Sequence, residues 1–241
     1  MHEPTIPATA SEAPIRAEPG DDPRSLQILT AEHSSLLSAR GLAYNEAFTR
    51  AGMFLAFLSM SFVGLALLAQ AMGFTADFLV VAAIVLAFDL LVGAATFGRI
   101  AGTGADDLRA LHAMNRIRHG YMQIAPHLAP YFTTGTHDDV DSVMLHYGDG
   151  GGDSTLGQLV YGLTTSGGMV GMITSLVAGL LGAVVTLALG GSGWWAIGAG
   201  VVVSLLTLAG LAVWSFRQAA RYQAALAVQF PAPSDGGDEH P

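Results

Sequence analysis

The chain has no cysteine. Disulfides, thiolate metal sites and cysteine nucleophiles are therefore excluded. Lysine is absent too: the ten basic residues are all arginine, at 16, 24, 40, 50, 99, 109, 116, 118, 217 and 221. An arginine-only basic set is what GC-rich coding produces, and it hints at a bacterium. Charge as a whole is scarce, at 12% of 241 residues. Soluble domains carry about 25%. With 51% apolar residues gathered into long runs, this deficit points to a membrane protein.

Enzyme signatures are missing as well. There is no GxSxG, no Walker loop, no kinase set and no glycine fingerprint between a strand and a helix. The expectation is a protein that is not an enzyme and needs no cofactor. "GDGGGDS", residues 148 to 154, is glycine-rich but follows no strand, so it reads as a linker. No basic surface is interleaved with aromatics, so nucleic acid is not an expected partner. The N-terminal "MHEPTIPATASEAPIRAEPGDDPR" has no apolar core and is not a signal peptide. Its proline, alanine and acid content reads as a disordered tail, and "PAPSDGGDEHP" at the other end reads the same way.

Four long apolar runs are present. They are Ala51 to Gly73, Phe78 to Gly98, Gly168 to Gly190 and Trp194 to Phe216. Each matches the roughly 20 residues a helix needs to cross the hydrocarbon core. The short gaps "FTAD" and "GSG" make each pair a tight helical hairpin. None of the arginines falls in either hairpin tip; they cluster before the first run, after the second and after the fourth. Basic residues near span ends mark the cytoplasmic side. Both termini and the central segment are therefore expected in the cytoplasm, which an even number of spans also requires. Trp194 and Trp195 at one end and Trp214 at the other suit aromatic belts.

The polar flanks read as helical. "SLQILTAEHSSLLSARGLAYNEAFTR" carries no breaker before the first run, so it should enter the membrane as one long helix. After the second run, Leu108, Leu111, Met114, Ile117, Tyr121 and Ile124 recur at three and four residues, the mark of an amphipathic helix. These two helices are placed to pair beneath the first hairpin. "PHLAP" at 126 to 130 ends the second. "THDDVDSVMLHYG" restarts a short helix, with Thr136 as the expected N-cap and Asp138 and Asp139 in its first turn. The expected fold class is thus all-α: a polytopic membrane protein whose four transmembrane helices form two hairpins with cytoplasmic helical extensions. Its divisions are a disordered tail (1–24), a cytoplasmic helix (25–50), the first hairpin (51–98), a cytoplasmic helical segment and linker (99–167), the second hairpin (168–216) and a cytoplasmic tail (217–241).

Small residues recur every fourth position along the third run, at Gly167, Gly171, Ser175, Gly179 and Ala183, so one face is expected to be small throughout. The fourth run offers Ala196, Gly200 and Ser204 at the same spacing. Small faces let helices approach closely in lipid. They fit packing of these two helices within one chain, or a seam between copies, or a glycine-lined pore.

Two sets of residues could carry chemistry. Asp89 stands about 16 Å along its helix from Phe78, near mid-membrane. A charged carboxylate there costs roughly 2.5–3.5 kcal/mol. Its helical face carries Ala82, Val85, Gly93 and Thr96, which suits contact with other helices. It is either an aspartate that joins helices, with Ser59, Ser61 or Thr174 as partners, or a proton or cation site. The second set is the histidine-rich central segment. His112 and His119 lie two turns apart with Arg116 between them, and His127, His137 and His146 follow. His112, His119, His137, Asp138 and Asp141 are the weak candidates for a metal, but no HxxxH or HExxH spacing supports one. Arg109, Arg116 and Arg118 could meet anionic headgroups, or simply form a solvated basic face.

The stretches "LAYNEAFTRAGMFLAFLSMSFVGLALLAQ" and "LHAMNRIRHGYMQIAPHLAPYFTT" resemble uncharacterised bacterial integral membrane proteins over roughly residues 30 to 150. That resemblance implies a helical membrane fold and brings no activity. The helix–hairpin–helix layout is also similar to two-helix membrane effectors of nucleotide-signalling defence systems, from which the second hairpin departs. The resulting expectation is a non-enzymatic inner-membrane protein, an oligomeric scaffold or accessory subunit. Its partners are the bilayer and, as an open alternative, further copies of itself. The alternative function is an ion channel or proton-coupled transporter using Asp89.

Overall fold

The structure, a computed structural model, describes residues 22–144, 146, 162 and 165–233. The expected N-terminal tail to residue 21, the linker at 148–154 and the C-terminal end from 234 lie outside the described residues. Among the described residues every regular element is helical. In order they are α1 (Ser25–Met72), α2 (Ala76–Ile124), a 3-10 turn (Pro126–Tyr131), α3 (Val140–Met144), α4 (Ser166–Ala188) and α5 (Gly193–Ala225). Four of them, α1, α2, α4 and α5, are long and apolar enough to cross a membrane. Helices suit that medium because they satisfy every backbone polar group within one segment.

Helix α1 joins the polar flank and the first apolar run into 48 continuous residues. Gly73, at φ +65°, ends it with its N–H on the Ala69 carbonyl, a conformation that costs glycine little. Two residues later the Thr75 hydroxyl accepts from the Phe78 N–H at 3.3 Å and starts α2. Helix α2 then runs 49 residues without a break. The amphipathic stretch after the second apolar run is therefore the same helix and not a separate one. It stops at Ile124, because Pro126 cannot supply the N–H that another turn needs.

The long helices pack in a row. α1 lies along α2, α2 along α4, and α4 along α5. Phe54 and Leu58 of α1, Leu86, Phe97 and Ile100 of α2, and Val170 and Val177 of α4 form the buried core. Large apolar side chains such as Trp194, Trp195, Leu206 and Ile84 stay exposed on the outside, as a surface that faces lipid requires. The pairing continues beyond the apolar runs. The Asp107 carboxylate accepts Arg40 Nε at 2.5 Å and the Tyr44 hydroxyl at 3.0 Å, which ties α1 to α2.

The small residues of α4 do not form one face. Four residues advance a helix about 40° past a full turn, so the four steps from Gly167 to Ala183 rotate the stripe by about 160°. Its first part meets α2: a Cβ on Gly171 would sit 3.0 Å from the Phe97 ring, and one on Gly167 would sit 3.6 Å from Ile100. Its last part meets α5: a Cβ on Gly179 would lie 2.7 Å from the Gly200 carbonyl oxygen and 2.9 Å from Ser204 Cβ, and one on Gly200 would lie 3.3 Å from Ala183 Cβ. Ser175 sits between, buried, with its hydroxyl on the Gly171 carbonyl at 2.7 Å. Ala196 is buried one turn before Gly200. On α2, Gly93 makes a similar close approach. A Cβ there would come within 2.7 Å of Thr174 Oγ1 and 2.9 Å of Phe54.

A paired substitution reads this packing. Gly179→Ala pushes a methyl against backbone, so it should cost about 1–3 kcal/mol. Gly98→Ala meets nothing within 4 Å and should stabilise α2 by about 0.5–1 kcal/mol through helix propensity. Thermal unfolding in detergent, followed by helical circular dichroism, compares the two. Equal midpoints would show that Gly179 and Gly200 are not in close contact.

Candidate functional site

Asp89 is fully buried on the inner face of α2. Ser61 of α1 donates its hydroxyl to Oδ1 at 2.9 Å. The other two expected partners point elsewhere: Ser59 bonds the Leu55 carbonyl, and Thr174 bonds the Val170 carbonyl. Asp89 Oδ2 is buried without a hydrogen-bond partner among the described residues. Of the face read from sequence, Ala82 and Gly93 are buried, while Val85 and Thr96 are half-buried. Thr96 spends its hydroxyl on the Val92 carbonyl. The carboxyl is thus held by one inter-helix hydrogen bond in an apolar setting.

A cavity of about 550 Å³ opens between α2 and α5. Phe97, Gly171 and Leu211 line its apolar end, and Tyr44, Asp107 and Gln223 its polar end. A second, apolar groove of about 570 Å³ lies between Leu58 and Phe62 of α1 and the outer sides of α4 and α5. Asp89 lines neither.

The central acids and histidines do something that sequence spacing did not indicate. After α5 the chain leaves the helix at Leu226 and bends at Gln229 and Phe230, so that residues 226–233 lie on α2 and on the residues that lead into α3. Asp138, 1% exposed, receives it. Its carboxylate accepts the Gln229 N–H at 2.9 Å, the Phe230 N–H at 2.7 Å and Arg116 Nε at 2.7 Å. Its own N–H donates to the Phe230 carbonyl at 3.1 Å. The Ala227 carbonyl accepts Arg116 Nη2 and lies 3.3 Å from His112 Nε2. The Phe230 ring stacks on His119 with centroids 4.2 Å apart, and Leu226 packs on Leu108, Leu111 and Val143. Asn115, fully buried, donates to the His137 carbonyl at 2.8 Å and holds the segment before α3 in place.

Three expectations change here. Thr136 is not the N-cap of α3. Asp139 fills that place, accepting the Ser142 N–H at 3.0 Å, because α3 starts at Val140. Asp138 is outside the helix, with its carboxylate given to the returning chain. Residues 226–233 are a docked segment, and Ala232, within the stretch read as disordered, donates its N–H to Asp139 at 3.1 Å. Of the weak metal candidates, His112 Nε2 lies 3.7 Å from Asp138 Oδ2, and the His119 and His137 rings are 5.9 Å apart. Asp141 is exposed on α3. Among the described residues no three His, Asp or Glu side chains group as a metal site. Arg109 covers the Tyr222 ring at 4.5 Å, and Arg118 bonds Asn115 and His146.

Burial pushes the Asp138 carboxyl up, but the Gln229 and Phe230 N–H groups and Arg116 outweigh it and hold it below the ordinary aspartate range. Asp139 is shifted the same way, with the Ser142 and Ala232 donors outweighing burial. A carboxylate whose folded value is depressed contributes stability above its ordinary value and loses it as pH falls through the folded one. Hydrogen-exchange protection of the Gln229 and Phe230 amides, corrected for intrinsic rate, should hold from about pH 8 to about pH 5 and fall below about pH 4. Protection unchanged in strong acid would mean that the carboxylates do not hold the segment. No family model, curated protein or solved structure matches the chain.

Proposed function

We propose that the chain is a non-enzymatic integral membrane protein of the bacterial inner membrane, acting as an oligomeric scaffold or accessory subunit. Its four spans form two hairpins, with helical extensions, the central segment and both termini in the cytoplasm. The carrying observation is the burial of Asp89 away from the two cavities described. The carboxyl is fully buried, bonded to Ser61, and outside the two cavities described. A transport site needs a polar, wet path to its acid. The Asp138 contact, which brings the chain after α5 back to the polar end of α2, supports a shared side for the central segment and the C-terminus. The apolar groove beside Leu58 and Phe62 offers the surface on which a second copy would seat.

One observation favours the alternative, a channel or proton-coupled transporter: the unpartnered Oδ2 of Asp89. Purified protein in liposomes, with a pH dye and a potassium gradient, separates the two. Wild type should match empty vesicles from about pH 5 to pH 8, and Asp89→Asn should fold normally. Asp89→Leu should lose about 0.6 kcal/mol, the average for an inter-helix hydrogen bond in membrane. Flux that Asp89→Asn abolishes would establish the transporter instead. Reporter fusions after Pro241 and at Gly191 should fall on opposite sides of the membrane, and matching sides would refute the four-span topology.

A further inference from the structure

We propose that residues 226–233 are a releasable latch that holds the polar end of α5 to α2 and so limits access to the cavity between them, with its hold concentrated on the Asp138 carboxylate.

Helix α5 packs along α4 and meets α2 only lightly. Among the contacts that bridge the gap, Trp214 meets Phe97 at 6.0 Å between ring centroids, Arg109 covers the Tyr222 ring at 4.5 Å, and the docked segment ties the chain after α5 to α2. Tyr222 and Gln223, which line the cavity, come just before that segment. Together with Arg109 over Tyr222, the segment therefore limits how far the cavity opens at the polar end.

The attachment is built to let go as a unit. Ala227, Val228 and Gln229 are exposed, and Phe230 is only half-buried. Leu226 and the Phe230 ring are its apolar holds, and its other contacts are polar. Three donors converge on one carboxylate: the Gln229 and Phe230 N–H groups and Arg116. Hydrogen bonds to a charged group are the strong ones, and removing that one charge weakens all three together. The groups facing Asp138 are His112 and Arg116 on α2, with His137 and Asp139 beside it in its own segment, while His119 meets the Phe230 and His137 rings. The latch itself, "LAVQFPAP", carries no titratable side chain. Control of the contact therefore lies entirely on the receiving side.

Because the chain lacks cysteine, single thiols give a clean test in the full-length protein. Ala105→Cys places a thiol in the cavity, and Val177→Cys places one in the buried core. Maleimide should label Ala105→Cys slowly in the wild-type background. Adding Asp138→Asn should raise that rate about tenfold or more, the factor set by weakening hydrogen bonds to a charged group, and Phe230→Ala, which removes the stacking on His119, should raise it by less. The Val177→Cys rate should stay unchanged. A spin-label pair at Gln123→Cys and Ala224→Cys should give one narrow distance that broadens with Asp138→Asn. An unchanged Ala105→Cys rate would overturn the latch. So would a parallel rise at Val177→Cys, because Asp138 would then support the whole fold.

Discussion

The closeness of Gly179 to Gly200 governs the arrangement of the helices. In lipid, apolar side chains gain little by meeting each other rather than acyl chains, so helices hold together through tight packing. With a Cβ on Gly179 falling 2.7 Å from the Gly200 carbonyl oxygen, α4 and α5 are in backbone contact. The same helix presents Gly171 to Phe97 on its other side. Helix α4 can therefore serve two neighbours at once, and the row from α1 to α5 follows. Asp89 and Ser61 add one polar tie between α1 and α2 inside this row.

The polar end is organised by a different force. There the helices leave the apolar setting, and charge-assisted hydrogen bonds take over. Arg40 and Tyr44 converge on Asp107, while Arg116 and two backbone amides converge on Asp138. Each acid is nearly buried, and each joins segments far apart in sequence. The net charge of −9 hides this, because the acids that matter are individually paired.

The four helices long and apolar enough to cross a membrane were legible from run length alone, since about 20 apolar residues leave few alternatives. The continuity of α1 was legible from the lack of breakers. Ser61 could be named only as one of three partners for Asp89, because helix rotation decides which hydroxyl arrives. The small stripe from Gly167 to Ala183 was visible, but a four-residue repeat looks like one face on paper and winds around a real helix. The docking of residues 226–233 was missed because its contacts are mainly to backbone amides, which carry no sequence signal. The one available hint was the apolar content of "LAVQF" just before a proline-rich end. The Arg40–Asp107 pair was missed for a related reason: charge composition does not say which acid meets which base across 67 residues.

The lengths of α1 and α2 have a mechanical consequence. At 48 and 49 residues they span about 72–74 Å, while the hydrocarbon core is about 30 Å thick. Each rod is about 40 Å longer than that core. Helices answer a change in bilayer thickness by changing tilt. A tilt of about 5° moves the far end of such an arm by about 3.5 Å, more than one hydrogen-bond length. For rods of this length set in a bilayer, a lateral disturbance in the lipid would be converted, without any hinge, into a displacement at the end of the lever.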